Sequence, residues 1–306
     1  MTMRFFSAPG LVLCLAASSC SGAAETTTAP RASLRLSRTT ANDLQTALKR
    51  VPDIKADVTA EGGSSITSLL DLRSGKTNVS GTLADVAYLA YAGQLEEMPQ
   101  PFDQLRGMAV TGLNTMHLLV GPNTPVKTLR DLKGLRVSLG APGSSTGHIT
   151  QRMLQDLGIT QSQIHGTRIQ NAEIVSRLTS GDIDAAFSGF TLPSATVIAA
   201  MQRGVRLMPI DEPEIEEMRT RYPYLKRTLI PRNTYPNQPE PIRTLSVDTL
   251  LVCRAELDDE TVYALLDAYF ATRPATTPPN LERAPATPIP LHPGAARYYR
   301  QRELSR

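Results

Sequence analysis

Tryptophan is absent from the 306 residues, and cysteine occurs three times. Cys14 and Cys20 fall in the first twenty positions, which leaves Cys253 alone in the body of the chain. A disulfide framework is thereby excluded, and stability has to come from buried apolar area. Cys253 ends the apolar run Thr249-Leu250-Leu251-Val252-Cys253 and reads as an inert core thiol. Charge of one sign is scarce too. The net charge is +3, from 32 Lys and Arg against 29 Asp and Glu, and no basic run carries interleaved aromatics, so nucleic acid is excluded as a partner. The four histidines (His117, His148, His165, His292) lack paired ligand spacing, so neither a metal nor a cofactor is expected. Beyond the N-terminus no apolar run is long enough to cross a bilayer as a helix.

What is present first is a leader. Arg4 precedes the apolar stretch Phe5 to Ala17, which Pro9 and Gly10 interrupt and which is too short to span a membrane. Residues 1–20 therefore read as a signal peptide, and the protein as exported to the periplasm or cell envelope. Ala17-Ser18-Ser19-Cys20 resembles a lipobox, with Ala17 where Leu is usual. Two processing routes stay open: acylation of Cys20, which would give the only membrane attachment, and ordinary cleavage after Ser21-Gly22-Ala23. Residues 21–32 are small and polar and form a flexible tether.

From residue 33 onward, strand and helix signals alternate. Strands are predicted at 33–37, 55–60, 77–83, 135–139, 183–187 and 205–210, with extended runs within 110–120 and 245–253. Helices are predicted at 41–50, 66–75, 85–92, 149–157, 171–181, 194–203 and 258–272, with a short basic helix at the end. Asp85 reads as a helix cap. Such alternation means an α/β fold built on mainly parallel sheets, and a chain of this length tends to split into two cores. Crossings are expected near 115–125 and 235–248. Lobe one then takes 33–116 plus 245–306, and lobe two, 117–244, is inserted in it.

The segment with the most chemistry is Gly140-Ala141-Pro142-Gly143-Ser144-Ser145-Thr146-Gly147, between a strand and a helix. The first turn of a helix has unpaired N–H groups and a partial positive charge. Glycines admit a ligand close to the backbone, and Ser144, Ser145 and Thr146 add hydroxyl donors. Together they suit a carboxylate, sulfonate or phosphate without any Arg. A plain helix cap is the bland alternative. Gly143 to Gly147 also spell G-x-S-x-G, the nucleophile elbow of serine hydrolases. That enzyme reading lacks an oxyanion segment, and its histidines are ill placed: His165 follows too soon and His292 lies in a Pro-rich stretch.

Leu129 to Thr146, with Leu129-Arg130-Asp131-Leu132-Lys133-Gly134 followed by the loop above, resembles the start of the second lobe in the TAXI family. These are the solute-binding subunits of TRAP-type (tripartite ATP-independent periplasmic) transporters. Asp85-Val86-Ala87-Tyr88, Gly181 to Phe187, Ile230-Pro231 through Thr234-Tyr235-Pro236, and Ile289 to Tyr299 are similar to further family segments, in the same order. The resemblance spans about 55–306. It implies a two-lobed type II periplasmic-binding-protein fold with a hinged cleft. It also implies a monomer that captures a small anionic solute, an amino acid such as glutamate or glutamine or a related carboxylate, for TRAP membrane permease subunits. Carried over by position, Gly143, Ser144, Ser145 and Thr146 would hold the anionic group, and Ser188 and Gly189 would lie on the neighbouring loop. Tyr235 would close over the ligand or pack as a hinge aromatic. Gly63, Ser64 and Ser65 would contribute from lobe one.

Two departures touch the lobe-one wall. Ser37 to Asp43 has no Gly or Tyr where the family has a glycine-rich loop, and Leu83 stands in place of a Gln. A binding lobe reporting to an envelope sensor has the same sequence features as a transport subunit, and a secreted serine hydrolase using Ser145 is the more distant alternative. A non-enzymatic binder should leave a fluorophosphonate probe unreacted. Stoichiometric labelling at Ser145, read by mass spectrometry, would move the assignment to hydrolysis.

Overall fold

The computed structural model describes residues 32–211, 213–273 and 281–304. The leader, Cys20 and nearly all of the tether lie outside the described residues.

The chain opens as βα units: β1 (Ala32–Ser37) with α1 (Arg38–Leu48), β2 (Ile54–Ala60) with α2 (Ser65–Arg73), and β3 (Val79–Leu83) with α3 (Ala84–Tyr91). The 16-residue β4 (Leu105–Val120) leads to a one-turn helix at Leu129–Leu132, closed by the capping box of Thr128 and Asp131. Then come β5 (Arg136–Ser138), α4 (Ser145–Asp156), β6 (His165–Thr167), α5 (Asn171–Ser180) and β7 (Ala185–Phe190). They are followed by α6 (Ala195–Met201), β8 (Arg206–Met208), α7 (Pro213–Arg221) and β9 (Lys226–Ile230). The chain ends with β10 (Ile242–Arg254), α8 (Asp259–Ala271) and α9 (Pro293–Leu304). Side-chain caps fix where helices begin. Ser37, Ser64, Ser144, Ser194 and Asp258 each accept a bond from a backbone N–H in the first turn of α1, α2, α4, α6 and α8. No helix among the described residues is long and apolar enough to cross a membrane.

The architecture is α/β, as the alternation predicted. β1 and β2 pair in parallel, and the larger sheet runs β3-β10-β4-β7-β5-β6, with β8 beside β4 and β9 beside β10. β5 pairs in parallel with both β6 and β7, whereas β4 and β10 run antiparallel to every neighbour. These two strands contain the positions where the sequence led us to expect crossings. Leu105–Thr115 of β4 pairs with β10, and Thr115–Val120 continues into β7. On β10, Thr249–Cys253 pairs with β3 and Ile242–Ser246 with β9. The boundaries expected from the sequence, 116/117 and 244/245, lie inside these two unbroken strands. The antiparallel ladders follow from this connectivity: one strand leaves the first lobe, the other returns, and they share hydrogen bonds where they pass.

Burial is organised around the crossing strands. Leu34, Leu36 and Leu44 pack with Val262, Leu265, Leu266 and Tyr298, so α8 and α9 complete the core begun by β1 and α1. Ile174, Leu178, Val197 and Ala200 form a core under α5 and α6. The largest apolar cluster runs from Leu69 and Val86, across Leu118 and Val247, to Ile149 and Met153 of α4. Each fully buried Leu, Ile or Val contributes roughly 1.5–3 kcal/mol. Buried Asp248 on β10 is paired to Lys226 of β9 and Arg283 of the C-terminal segment, which satisfies a charge that would otherwise be costly to bury.

A buried polar chain crosses the lobe-two core beside β4. His117 Nδ1 donates to the Thr115 carbonyl (2.9 Å), so Nε2 is free to accept from the Tyr235 hydroxyl (2.8 Å), whose oxygen accepts from the Ser194 N–H (3.3 Å). Burial lowers the His117 pKa to about 4, because the imidazolium has lost its water; the Thr115 bond opposes the shift. A histidine depressed below its unfolded value of 6.5 contributes stability that is complete above that pH and is lost as pH falls towards 4. Between pH 7.5 and 5 the loss from this one group should be about 2 kcal/mol. Urea unfolding at both pH values is expected to show that slope in the wild type and a shallower one in His117→Gln.

Candidate functional site

A cavity of about 580 Å³ lies between the lobes. Lobe one brings Thr39 from the first turn of α1, and Gly63, Ser64 and Ser65 from the start of α2. Lobe two brings Ser144, Ser145 and Thr146 from the start of α4, and Gln170 and Asn171 from the start of α5. Four helix N-termini thus face one space. Each helix leaves its first N–H groups without an internal partner and carries roughly half a positive charge at that end.

Local geometry explains the residue types. Ser64 accepts from Thr67 N–H and Ser144 from Gly147 N–H, each at 3.2 Å, and Ser144 also donates to the Ala141 carbonyl (2.7 Å). The caps use hydroxyls and leave the earliest N–H groups unclaimed. Gly143 has φ +64°, and a Cβ there would stand 2.8 Å from Ser64 Oγ, so only glycine lets the lobe-two loop approach the lobe-one cap this closely. At Gly189 a Cβ would meet Asn114 Oδ1 at 2.1 Å and Thr146 Oγ1 at 2.8 Å; the bare backbone makes room for both side chains.

Ser145 closes the two sides together. Its hydroxyl donates to Asp85 Oδ1 at 2.8 Å, and both residues are 1% exposed. Asp85 does not cap α3; Leu83 occupies the N-cap position, and the carboxyl reaches across to lobe two instead. Burial pushes the Asp85 carboxyl above the usual range, and the Ser145 bond, the Val86 N–H and the nearby His148 pull it back in that order. Asp85 Oδ2 has no hydrogen-bond partner among the described residues. The same arrangement bears on the G-x-S-x-G pattern. The Ser145 hydroxyl is bonded to a carboxyl, and no imidazole hydrogen-bonds it among the described residues.

Among the described residues, the only carboxylate in the lining is Glu61. It is exposed and held by Arg38 through two bonds of 2.9 and 3.0 Å, which keep it below its usual pKa and ionised. Among the described residues no Lys, Arg or His lines the cavity, and no group of His, Cys, Asp and Glu is placed to hold a metal ion.

Of the residues singled out in the sequence, Gly63, Ser64, Ser65, Ser144, Ser145, Thr146 and Gly189 line this cavity. Gly143 borders the adjoining polar cleft on the far side of Pro142. Ser188 stands behind the wall and donates to Asn171 Oδ1 at 2.7 Å. Tyr235 does not reach the cavity; it is 4% exposed, and its hydroxyl is committed to His117. Glu61, Asn114, Gln170 and Asn171 line the cavity without having been anticipated, whereas Thr39 comes from the segment Ser37 to Asp43 already expected at the lobe-one wall. Asn114 had a signal, a lone amide inside the extended run of β4. Thr39 was marked only through its segment, where the chain departs from the family loop.

A family model described as the NMT1-like family matches residues 38–302. Several solved structures share the fold. The periplasmic aliphatic sulphonate binding protein SsuA from Escherichia coli is 20% identical, over 89% of this chain and 76% of its own, with a TM-score of 0.50. The alkanesulfonate-binding protein SsuA from Xanthomonas axonopodis pv. citri, bound to MOPS, is 14% identical over 89% and 85%, with a TM-score of 0.51. MatC from Rhodopseudomonas palustris, with bound malate, is 14% identical over 78% and 84%, with a TM-score of 0.52. The likeness establishes the fold, that of periplasmic solute-binding proteins.

Removing the Ser145 hydroxyl leaves a buried carboxyl without its donor, which should cost about 1–3 kcal/mol. Losing that donor raises the Asp85 pKa further, so the deficit of Ser145→Ala should be largest at pH 7.5 and shrink towards pH 4.5, where the carboxyl need not be ionised. Denaturant midpoints at the two pH values check this; an unchanged deficit would mean that Asp85 is not the partner that matters.

Proposed function

The chain belongs to the NMT1-like family, and from that premise we propose that it is an extracytoplasmic solute-binding protein, not an enzyme. It captures a small organic anion between its lobes and delivers it to a membrane transporter. One observation carries the reading: four helix N-termini line an interlobe cavity that holds no unpaired charged side chain. Fixed backbone dipoles in a partly dried site stabilise an anion without the cost of burying an Arg or Lys.

Within this class we assign the chain to the TAXI solute-binding subunits of TRAP transporters. Support comes from Leu129 to Thr146, Asp85 to Tyr88 and Ile289 to Tyr299, the segments that resemble that family. The ligand-contacting set we propose is Gly63, Ser64 and Ser65 from lobe one, and Ser144, Ser145, Thr146 and Gly189 from lobe two. Asn114 and Asn171 join them. The leader implies export, with the anchor, if present, on Cys20.

The mechanism is closure. An anion docks on the first turn of α4, and lobe one swings over until Ser64 faces Gly143 and Asp85 receives the Ser145 hydroxyl. The ligand favours the closed form only through contacts that the open form lacks. Thermal-shift screening of carboxylates, amino acids, sulfonates and phosphate esters tests this. A true ligand at a hundred times its dissociation constant stabilises by about 2.7 kcal/mol, and Thr146→Val should abolish most of that gain. A flat response across the whole screen would remove solute capture as the function.

A further inference from the structure

We propose that Asp85 is a positioning residue that binds a proton, and that closing the cleft takes up a proton on the cluster of Asp85, His148 and Glu97. Acid then tightens the hold on the solute. The inference rests on the solute-capture reading above and adds the regulation of that site.

Two buried aspartates show what is unusual here. Asp248, 3% exposed, is paired to Lys226 and Arg283. Asp85, 1% exposed, has only a neutral hydroxyl as side-chain donor among the described residues: Ser145 donates to Oδ1 at 2.8 Å, and Oδ2 has no partner. A buried carboxylate without a cation is costly, and its neutral form avoids that cost. A proton on Oδ2 leaves Oδ1 free to accept from Ser145, so the interlobe bond is kept while the charge is lost.

His148 carries the cluster outwards. It lies three residues beyond Ser145 on α4, and its Nε2 stands 3.6 Å from Glu97 Oε1, in the segment after α3. That contact is an ion pair only with the imidazole protonated. On the lobe division proposed above, α4 thus meets lobe one through two side chains, Ser145 and His148, that face two carboxyls. Closure above neutral pH gathers both carboxylates around one uncharged imidazole. A proton relieves that excess of negative charge. Asp85 and His148 share it, because an imidazolium at His148 draws Asp85 back towards its ionised form.

Neighbouring groups do not supply the missing charge. Tyr224 faces Asp85 and packs against Tyr88 of α3 at 5.6 Å; burial holds its phenol well above the usual range, hence neutral. Arg152 of α4 lies over the Tyr222 ring at 5.1 Å. On α2, Asp71 pairs with Lys76, and Arg73 donates to the Gln100 carbonyl. Glu96 adds further negative charge beside Glu97.

The sign follows from burial. In the closed form burial holds the Asp85 carboxyl above the usual carboxylate range. In an open cleft water reaches it and the ordinary value of 3.8 returns. The closed form therefore binds the proton more tightly, and acid favours closure. The gain grows as pH falls through the raised value and is complete below 3.8. A solute bound by closure gains affinity in step.

Titration calorimetry on the processed protein tests this, with the strongest binder among glutamate, pentanoate, ethanesulfonate and glycerol 3-phosphate as probe. Comparison with variants cancels any protonation of the probe itself. From pH 8.5 to 5.5 the wild type should tighten about fivefold or more relative to Asp85→Asn. Asp85→Asn keeps an oxygen for Ser145 and cannot ionise, so it should bind at pH 8.5 about as tightly as the wild type does at pH 5.5. A hydrogen bond that merely holds the fold would leave the pH profile unmoved. His148→Gln, altered nearer the surface, should keep the affinity at pH 8.5 and lose about half of the tightening, and it serves as the test if circular dichroism shows Asp85→Asn unfolded. A probe that binds with the wild-type pH profile retained in the folded variants overturns the inference and leaves solute capture standing. If none of the four anions binds, the capture reading fails, and this inference with it.

Discussion

A helix cannot satisfy its own first N–H groups, and the arrangement of this molecule follows from where four such ends are sent. The βα units of lobe one point α1 and α2 towards the cleft, and those of lobe two point α4 and α5 at the same space. Serine caps at Ser37, Ser64 and Ser144 claim only the N–H of the third helical residue, so the earliest N–H groups remain for a visitor. The absence of Lys and Arg from the lining is then no deficit. A cation there would compete with the dipoles for the same anion and would itself need burying.

Much of this was legible in the sequence, for identifiable reasons. Alternation of period and the Gly-Ser-Thr loop marked α4 and its N-terminus, because caps and glycines are local signals. Of the two readings open for Tyr235 the packed aromatic is the one observed, and the choice was illegible because nothing in Thr234-Tyr235-Pro236 reveals that its hydroxyl bonds His117, 118 positions earlier in the chain. Asp85 looked like a cap because acidic residues favour helix starts, whereas its carboxyl is used by Ser145, sixty positions away. Pairings of that range leave no periodic trace. The elements α7 and β9 had no clear pattern either, since charged Glu and Arg dominate Pro213–Arg221 and β9 lies at the margin of the sheet beside β10.

The two cores and the cleft are coupled by continuous structure. Because β4 and β10 pass unbroken between lobes, the same apolar cluster that supports α3 also supports α4. The Ser145–Asp85 bond therefore links two helices that already share a foundation, and its 2.8 Å geometry is set by packing on both sides. An anion reaching Thr146 arrives one residue from that bond, which places capture and lobe contact on adjacent residues of one helix turn.

The unbroken crossing strands carry one more implication. A lobe joined by a loop turns on a pin, with the rotation concentrated in a few backbone torsions. Here the ladder of Leu105–Thr115 against Ser246–Arg254 stops at the crossing, and each strand runs on as one piece into its next partner, β7 or β9, more like a leaf spring than a pivot. Stiffness in such a joint belongs to the pair of strands as a whole, and no single side chain sets it.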